Sequence, residues 1–454
     1  MHQARDIKIE VPARALRVLE ALEAKGHEAY VVGGCVRDAI LGRVPNDWDV
    51  TTSARPEQTK AAAHAAGFKT ADTGIKHGTV TVIVDHEPFE VTTYRSDGAY
   101  SDGRHPDEVR FLDSLEGDLA RRDFTVNALA YNPSVGLVDE FDGVGDLNRR
   151  VLRAVGEPHR RFEEDALRIL RGIRFSAQLE FALEKGTAQA IHDDRMLLEK
   201  ISAERIASEI EKLACAPGCV DVMLGFSDVL TVCIPEIEPS IGFDQRNPHH
   251  CYTVWEHCVR ACSYAAPDDL VMRLAALFHD IGKPACYFMG EDGIGHFYGH
   301  REVSADLFAQ AARRLKLPRK LSERVELLVR YHDANLPTTA KGMRHWAVKF
   351  SPEVVRQIFE LHRCDIKALA PGEVAGGLAN VDAAEAFFEK SIEQVSVFSL
   401  RDLAVNGRDL IELGCAQGPK VGEILSQLLN AVVDGQIPND RQALLQRAKQ
   451  LIYE

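Results

Sequence analysis

Asp47 and Asp49 follow ten and twelve residues after Arg37, which closes the run Val32-Gly33-Gly34-Cys35-Val36-Arg37. In an extended chain, residues i and i+2 point to one face, so the two carboxylates converge. Such a pair suits one or two hard cations of the magnesium type, which take carboxylate oxygens together with substrate phosphates. Two ions so placed activate a hydroxyl and stabilise a leaving pyrophosphate. Glu90, on a neighbouring predicted strand, is a third candidate carboxylate. Gly33 and Gly34 let the backbone approach a ligand closely, and the free amides at a helix start favour a phosphate. Arg37, one turn in, adds a charge-assisted contact. A glycine turn with two solvated aspartates uses the same residues, but this order and spacing favour chemistry.

A second group follows a three-residue step: Asp165, Arg168, Arg171 and Arg174, beside the apolar row Leu167, Leu170 and Ile173. On a helix that step makes one slowly winding ridge. A carboxylate accepts from the amino group of cytosine or adenine, and a neighbouring guanidinium donates to ring nitrogens or carbonyls. Uracil and guanine present a carbonyl at that edge, leaving buried polar groups unpaired. An amphipathic helix with a solvated charged face has the same spacing.

The third group is His257, then His279-Asp280-Ile281-Gly282-Lys283-Pro284, then His296 and His300, then His332-Asp333. Imidazoles with adjacent carboxylates suit a mixed nitrogen/oxygen divalent site able to activate water. A site kept only for packing is the alternative.

The elements that must position these residues are legible in outline. A helix is predicted over 12–25, with Leu16, Leu19 and Leu22 on one face. Strands are predicted at 29–32, 49–52, 79–84 and 89–93, with Asp85-His86-Glu87-Pro88 turning the last two into a hairpin. Short helices are predicted over 36–41 and 56–66. Residues 94–115 form a polar stretch without period, and from Arg153 onward the patterning is almost wholly helical. The fold class is therefore α+β. An α/β head (1–150) precedes an all-α neck (151–215), a body (216–395, with a histidine-rich domain at about 250–335) and a tail (396–454).

Lys and Arg total 54 against 68 Asp and Glu, a net charge of −14 over 454 residues, which excludes a surface that is basic throughout. Local basic groups remain: Arg149, Arg150, Arg153, Arg160 and Arg161, and the run Arg313, Arg314, Lys316, Arg319, Lys320 and Arg324. Such groups give affinity for phosphate backbones without reading sequence. The ten cysteines include no Cys-x-x-Cys, so reduced thiols and a cytoplasmic location are expected. No uncharged apolar run approaches a membrane span, and the N-terminus has no apolar signal segment.

The run Gly33-Gly34-x-Val36-Arg37-Asp38 … Leu41-Gly42-Arg43 … Asp47-x-Asp49 resembles the signature of polymerase-β-type nucleotidyltransferases. With Arg121-Arg122-Asp123-Phe124-Thr125-Val126-Asn127-Ala128 and Glu164 to Phe175, it is similar to the class II tRNA CCA-adding enzymes and related bacterial poly(A) polymerases. The likeness extends from about Ala15 to the C-terminus, through Asn406 to Leu410 and Gly418 to Gly422. It implies addition of C, C and A to tRNA from CTP and ATP, with Asp47 and Asp49 holding Mg2+. It also implies that Asp165 and Arg168 read the base, while Arg122, Arg171 and Arg174 hold the triphosphate and Gly34 and Arg37 contact the nucleotide. The segment Asp97 to Pro106 resembles the flexible loop of complete CCA-adding enzymes, and the tail from Ser399 resembles a tRNA grip. The histidine group resembles the HD phosphohydrolases, which implies ligands at His257, His279, Asp280 and Asp333, with His296 and His300 as additions. The metal there would be a divalent transition ion or Mg2+, and the reaction hydrolysis of phosphorylated or cyclised RNA ends. A poly(A) polymerase, an A-adding enzyme, or chiefly an HD phosphohydrolase are the alternatives, and oligomeric state stays open.

Overall fold

The protein is described by a computed structural model covering residues 7–97, 109–291 and 293–453. It forms two compact units, residues 1–235 and 236–454.

The described strands of the first unit include β1 (Ala29–Val32), β2 (Val50–Thr52), β3 (Lys69–Gly74), β4 (Thr79–Val84), β5 (Glu87–Thr93), β6 (Arg95–Asp97), β7 (Val109–Phe111), β8 (Leu129–Asn132) and β9 (Gly136–Asp139). Seven of them form one sheet in the order β3-β4-β5-β2-β1-β8-β9, while β6 and β7 pair separately. Within the sheet, β2 and β5 run parallel, with Val50 opposite Val91. The other neighbours are antiparallel. The β4–β5 hairpin turns on Asp85 and His86, both at positive φ (48° and 69°), a conformation whose twist matches that of the flanking strands.

Val31, Val50, Val80, Val82 and Val91 pack with Ala15, Val18, Leu19 and Leu22 of the helix Ala13–Glu23. Leu16 lies at the rim of this core. Sequence patterning missed three strands of the sheet. β3 reads Lys-Thr-Ala-Asp-Thr-Gly, a polar edge without alternation, and β8 is buried along its whole length and so has no polar face to show a period. The stretch 94–115, expected to lack regular structure, contains the β6–β7 ladder, three residues on each side, too short to show a period. Most of the loop-like segment from Asp97 to Pro106 lies outside the described residues.

Four helices follow: Pro158–Glu164, Leu167–Leu179, Lys185–Asp193 and Ala203–Ala214. Asp165 sits in the break between the first two with extended backbone (φ −146°, ψ 103°), so it opens the second helix instead of riding on it. Ile169, Leu170 and Ile173 of that helix are buried.

In the second unit, the helices Val254–Tyr264, Leu270–Phe278, His300–Arg314, Arg319–Tyr331 and Pro352–Lys367 pack together. Leu270–Phe278 is apolar on nearly every side and is almost wholly buried, as a central helix must be. The C-terminal helices Gly407–Glu412, Pro419–Val433 and Arg441–Tyr453 share a core of Leu410, Ile424, Leu428 and Leu444. Among the described residues, no helix is long and apolar enough to cross a membrane.

Candidate functional site

The parallel pairing of β2 with β5 places Asp49 and Glu90 side by side, each one residue ahead of the Val50–Val91 pair. Asp47 lies two residues before Asp49. The Asp49 carboxyl keeps contact with solvent, yet desolvation, then the charges of Asp47 and Glu90, raise its pKa to about 6 against the opposing pull of Arg122. The nearby Cys35 thiol is pushed to about 12 by burial and by the charge of Asp49. The charges of Asp47, Glu90 and Arg122 are thus all felt at Asp49, although the three carboxylates do not form a group with ligand atoms within 4.8 Å of one another among the described residues.

Gly33 has φ +85°, and a Cβ built on it would lie 2.8 Å from Arg122 Nη1. The positive φ is what calls for glycine here, and the flexible Arg122 end adds a contact that could swing aside. Gly34 carries no such demand, since its nearest neighbour would be at an ordinary 3.7 Å. Arg122 Nη2 lies 3.5 Å from buried Asp118, and its Nε is buried without a hydrogen-bond partner among the described residues.

Behind this turn runs a continuous polar chain. Arg37 donates through Nε and Nη2 to Asp38 (2.8 and 2.9 Å) and through Nη1 to Asn127 Oδ1 (2.6 Å). Asn127 Nδ2 donates to Asp123 Oδ1 (3.0 Å), which also accepts the Phe124 amide (2.8 Å). Asp123 Oδ2 takes both Nε and Nη2 of Arg171 (2.8 and 2.6 Å). Burial alone would raise the Asp123 pKa, but Arg171 and Asn127 outweigh it and hold the carboxyl well below the usual range. The ring of Phe175 underlies three guanidiniums: Arg37 at 5.2 Å, Arg171 at 5.1 Å and Arg174 at 3.8 Å from its centroid.

Arg168, Arg171 and Arg174 share the helix Leu167–Leu179 as expected, while Asp165 stands in the break before it, and each of the four is partnered. Asp165 accepts the Leu167 amide (3.1 Å) and Arg205 Nη2 (2.9 Å). Arg168 is buried and donates to the carbonyls of Arg161 (3.1 Å) and Arg121 (2.8 Å) and to Glu164 (2.9 Å). Arg174 is buried against Glu209 and Gln178. Sequence reasoning missed Arg205 and Glu209, which sit on a helix with no local signal tying them to the ridge. It quoted Asp123 and Asn127 in a motif but gave them no role. The first basic group is largely self-neutralised, Arg149 and Arg153 both pairing with Asp146.

In the second unit, His257, His279, Asp280 and Asp365 bring one potential ligand atom each within 4.8 Å of one another. His257 Nε2 lies 2.9 Å from Asp365 and 3.4 Å from Asp280, and His279 Nε2 lies 3.3 Å from Asp280. The sequence expectation placed Asp333 in this set, and the structure brings Asp365 there instead. Successive helical positions point about 100° apart, so His332 turns inward while Asp333 faces solvent. His296 stacks between Phe288 and Tyr298 and belongs to neither ligand group among the described residues. His300 and His332 instead form a second group with Asp280. The charges of His279 and Lys283 overcome burial and hold the Asp280 carboxyl well below its ordinary range. His250 is kept neutral, its pKa lowered to about 3 by burial and by Lys283. A cavity of about 440 Å³ opens onto this cluster, lined also by Lys283, His250, Arg301 and Asn335.

Comparison with known proteins shows the family. Residues 29–153 match the poly A polymerase head domain, and 180–238 match a probable RNA- and SrmB-binding site of polymerase A. Residues 249–365 match the HD domain, and 308–448 a putative tRNA nucleotidyltransferase domain 2. A CCA-adding enzyme of Lactobacillus delbrueckii subsp. bulgaricus is 35% identical over 96% of this chain and 97% of its own length. The chain belongs to the CCA-adding enzymes. A Lactobacillus johnsonii CCA-adding enzyme is 36% identical over 96% of both chains. Among solved structures, the Bacillus stearothermophilus CCA-adding enzyme in complex with CTP matches with a TM-score of 0.69 and 30% identity, covering 96% of each chain. A Thermotoga maritima CCA-adding enzyme complexed with tRNA shares the fold at a TM-score of 0.56 and 19% identity, over 97% of this chain and 96% of that one.

Proposed function

We propose that this CCA-adding enzyme extends tRNA 3′ ends with C, C and A from CTP and ATP at Asp47, Asp49 and Glu90. The observation that supports this reading is the β2–β5 register, which sets Asp49 beside Glu90, with the charges of Asp47 and Arg122 also acting on Asp49. Desolvation raises Asp49 first and the neighbouring charges of Asp47 and Glu90 add to it, and a carboxylate so placed is relieved by a hard cation. Asp47 and Asp49, with Glu90 beside them, would hold Mg2+, which supplies the charge neutralisation a triphosphate and its leaving pyrophosphate need. Gly33 keeps Arg122 against the turn, where its positive charge can meet phosphate.

Asp165 and Arg168 are the residues proposed to select the base. Each Asp165 oxygen accepts a single donor, and a carboxylate offers about four lone-pair sites, so capacity remains for an exocyclic amino group. Arg168 is pinned by two backbone carbonyls, which fixes its plane before a nucleotide arrives.

The test is incubation with tRNA lacking its CCA end and each nucleotide in turn. CTP alone should add C residues, and the terminal A should require ATP as well. Extension from ATP alone on that substrate would point to the poly(A) or A-adding alternative. Asp47→Ala with Asp49→Ala should abolish extension. Asp165→Ala or Arg168→Ala that kept full activity with unchanged selectivity would overturn the base-reading assignment.

A second reading concerns the HD unit. The ligand group His257, His279, Asp280 and Asp365 opens to a cavity that also presents Lys283 and Arg301, which supports metal-dependent hydrolysis of a phosphoester. Hydrolysis of a 2′,3′-cyclic nucleotide by the full chain carrying Asp47→Ala and Asp49→Ala tests it apart from the head.

A further inference from the structure

Four aromatic side chains gather on a small hairpin beside the cavity of the HD unit. Phe288–Met289 pairs antiparallel with Gly295–His296, and Phe288 stands directly opposite His296. Directly paired residues share a face, and alternate residues of an extended chain do the same. Phe288, His296 and Tyr298 accordingly lie on one side and Phe297 on the other. Phe297 is buried, its ring 5.7 Å from that of Tyr287 and 5.3 Å from the Lys283 ammonium. Lys283 in turn lies 2.6 Å from Asp280 and donates to Gln245 (2.9 Å). The inward ring thus ties the hairpin to the floor of the cavity.

The outward rings meet water instead. Phe288 is 45% exposed and Tyr298 76%. The three centroids form a triangle: Phe288 to His296 at 5.2 Å, His296 to Tyr298 at 5.7 Å and Phe288 to Tyr298 at 5.5 Å. The corresponding interplanar angles are 27°, 9° and 35°, so the rings look nearly the same way. Near-parallel rings leave an outer face against which another flat ring can lie. Large aromatics clustered in solvent forgo the gain of burial, and such patches mark interaction surfaces. His296 and Tyr298 also line the cavity that holds Asp280, Lys283 and Arg301. A ligand that spans rings and cavity needs a flat π system joined to an anion. A nucleoside phosphoester has both, and stacking on aromatic side chains tolerates every base.

We propose that Phe288, His296 and Tyr298 form a stacking platform for the terminal nucleobase of a nucleoside phosphoester whose phosphate enters the HD cavity. The platform demands a base without choosing which one, and so favours RNA ends and cyclic nucleotides over other phosphoesters. The inference rests on the phosphohydrolase reading for its reaction. In that reaction water adds to phosphorus, one ring P–O bond breaks and a proton passes to the released ribose oxygen. The stacking itself needs no turnover.

The test uses the full chain with Asp47→Ala and Asp49→Ala, in buffer containing Mn2+. The substrates are 2′,3′-cyclic AMP, a short RNA ending in a 2′,3′-cyclic phosphate, and methyl ribofuranoside 2,3-cyclic phosphate, which has no base. Tyr298→Ala, at the most exposed ring, should raise KM for cyclic AMP about 5- to 150-fold with kcat unchanged, the span of base–aromatic stacking. The base-less ester should have a high KM that Tyr298→Ala does not move, and Tyr298→Phe should keep the parent's KM for cyclic AMP. A shift for both base-bearing substrates, or for one of them, upholds the platform and shows whether RNA ends or free nucleotides use it. Equal KM with and without a base in the parent, an unmoved KM for both base-bearing substrates in Tyr298→Ala, or an effect shared by the base-less ester overturns the platform and leaves the phosphohydrolase reading standing. If none of the three is hydrolysed, that reading falls and the fluorescence of 2-aminopurine riboside 3′-phosphate decides the platform. Quenching by the parent that Tyr298→Ala relieves upholds it, and identical signals from the two chains overturn it.

Discussion

Replacing Asp123 by asparagine keeps the side chain's shape and removes the charge at the centre of the chain that joins Arg37 to Arg171. Asp123 accepts four hydrogen bonds, two of them from the Arg171 guanidinium, both on Oδ2. An asparagine offers one oxygen and turns an NH2 group toward donors, so two or more of these bonds are lost. Removing one partner of a fully buried pair costs about 3–5 kcal/mol. The Arg171 side chain is 34% exposed and can recover some hydration, which brings the expected cost to about 2–4 kcal/mol. For a unit of this size that corresponds to a fall of roughly 5–15 °C in the melting temperature of the first unit. Calorimetry at pH 7 on Asp123→Asn, Arg171→Met and the double variant gives the coupling directly. The sign with pH follows from the lowered carboxyl. Its stabilisation is fully present above the unfolded value of about 3.9 and is lost as pH falls through the lower folded value. The gap between parent and variant should therefore stay constant from pH 7 to pH 5 and close only in stronger acid. A difference under about 0.5 kcal/mol at pH 7, or one already closing by pH 5, refutes the argument.

Three further outcomes are expected. Gly33→Ala forces a side chain into a positive-φ position and against Arg122, and should cost about 1–3 kcal/mol and depress nucleotide addition. Denaturant titration and kcat/KM check it, and parent-like values in both would contradict the steric account. Arg205→Met releases one tether of Asp165 and should lower the preference for CTP and ATP over UTP and GTP, with little change in melting temperature; unaltered preference would remove Arg205 from base selection. Buried Cys35, with its thiol pushed to about 12, should resist alkylation at pH 8 in the folded protein, whereas exposed Cys251 should react, as mass spectrometry of the labelled peptides will show.

The acidic pair, the glycine turn and the histidine groups were legible because each is encoded in a few neighbouring residues. What escaped was set by long-range pairing. Glu90 was expected as a third carboxylate on a neighbouring strand, but nothing near Asp49 announces that β2 runs parallel to β5. His332-Asp333 looked like a second histidine–aspartate ligand pair, yet helix geometry lets one of the two face inward, and the missing carboxylate comes from Asp365, 32 residues on. Arg168, Arg171 and Arg174 lie on one helix as expected, but Asp165 sits in the break before it, and the four are partnered by residues the spacing did not show, among them Asp123 and, from one further helix, Arg205 and Glu209. Spacing shows which side chains share a face and is silent on what the tertiary fold sets opposite them.

The Phe175 ring carries a broader consequence. Each of the three cations stacked on it already has its own counter-ion, Asp38, Asp123 or Glu209, so this patch is close to electroneutral. An incoming polyanion there must displace a resident acid instead of filling an empty positive well. Recruitment by that patch would then proceed through swapped partners at short range, with weak dependence on ionic strength, and any long-reaching pull on RNA has to originate elsewhere on the molecule.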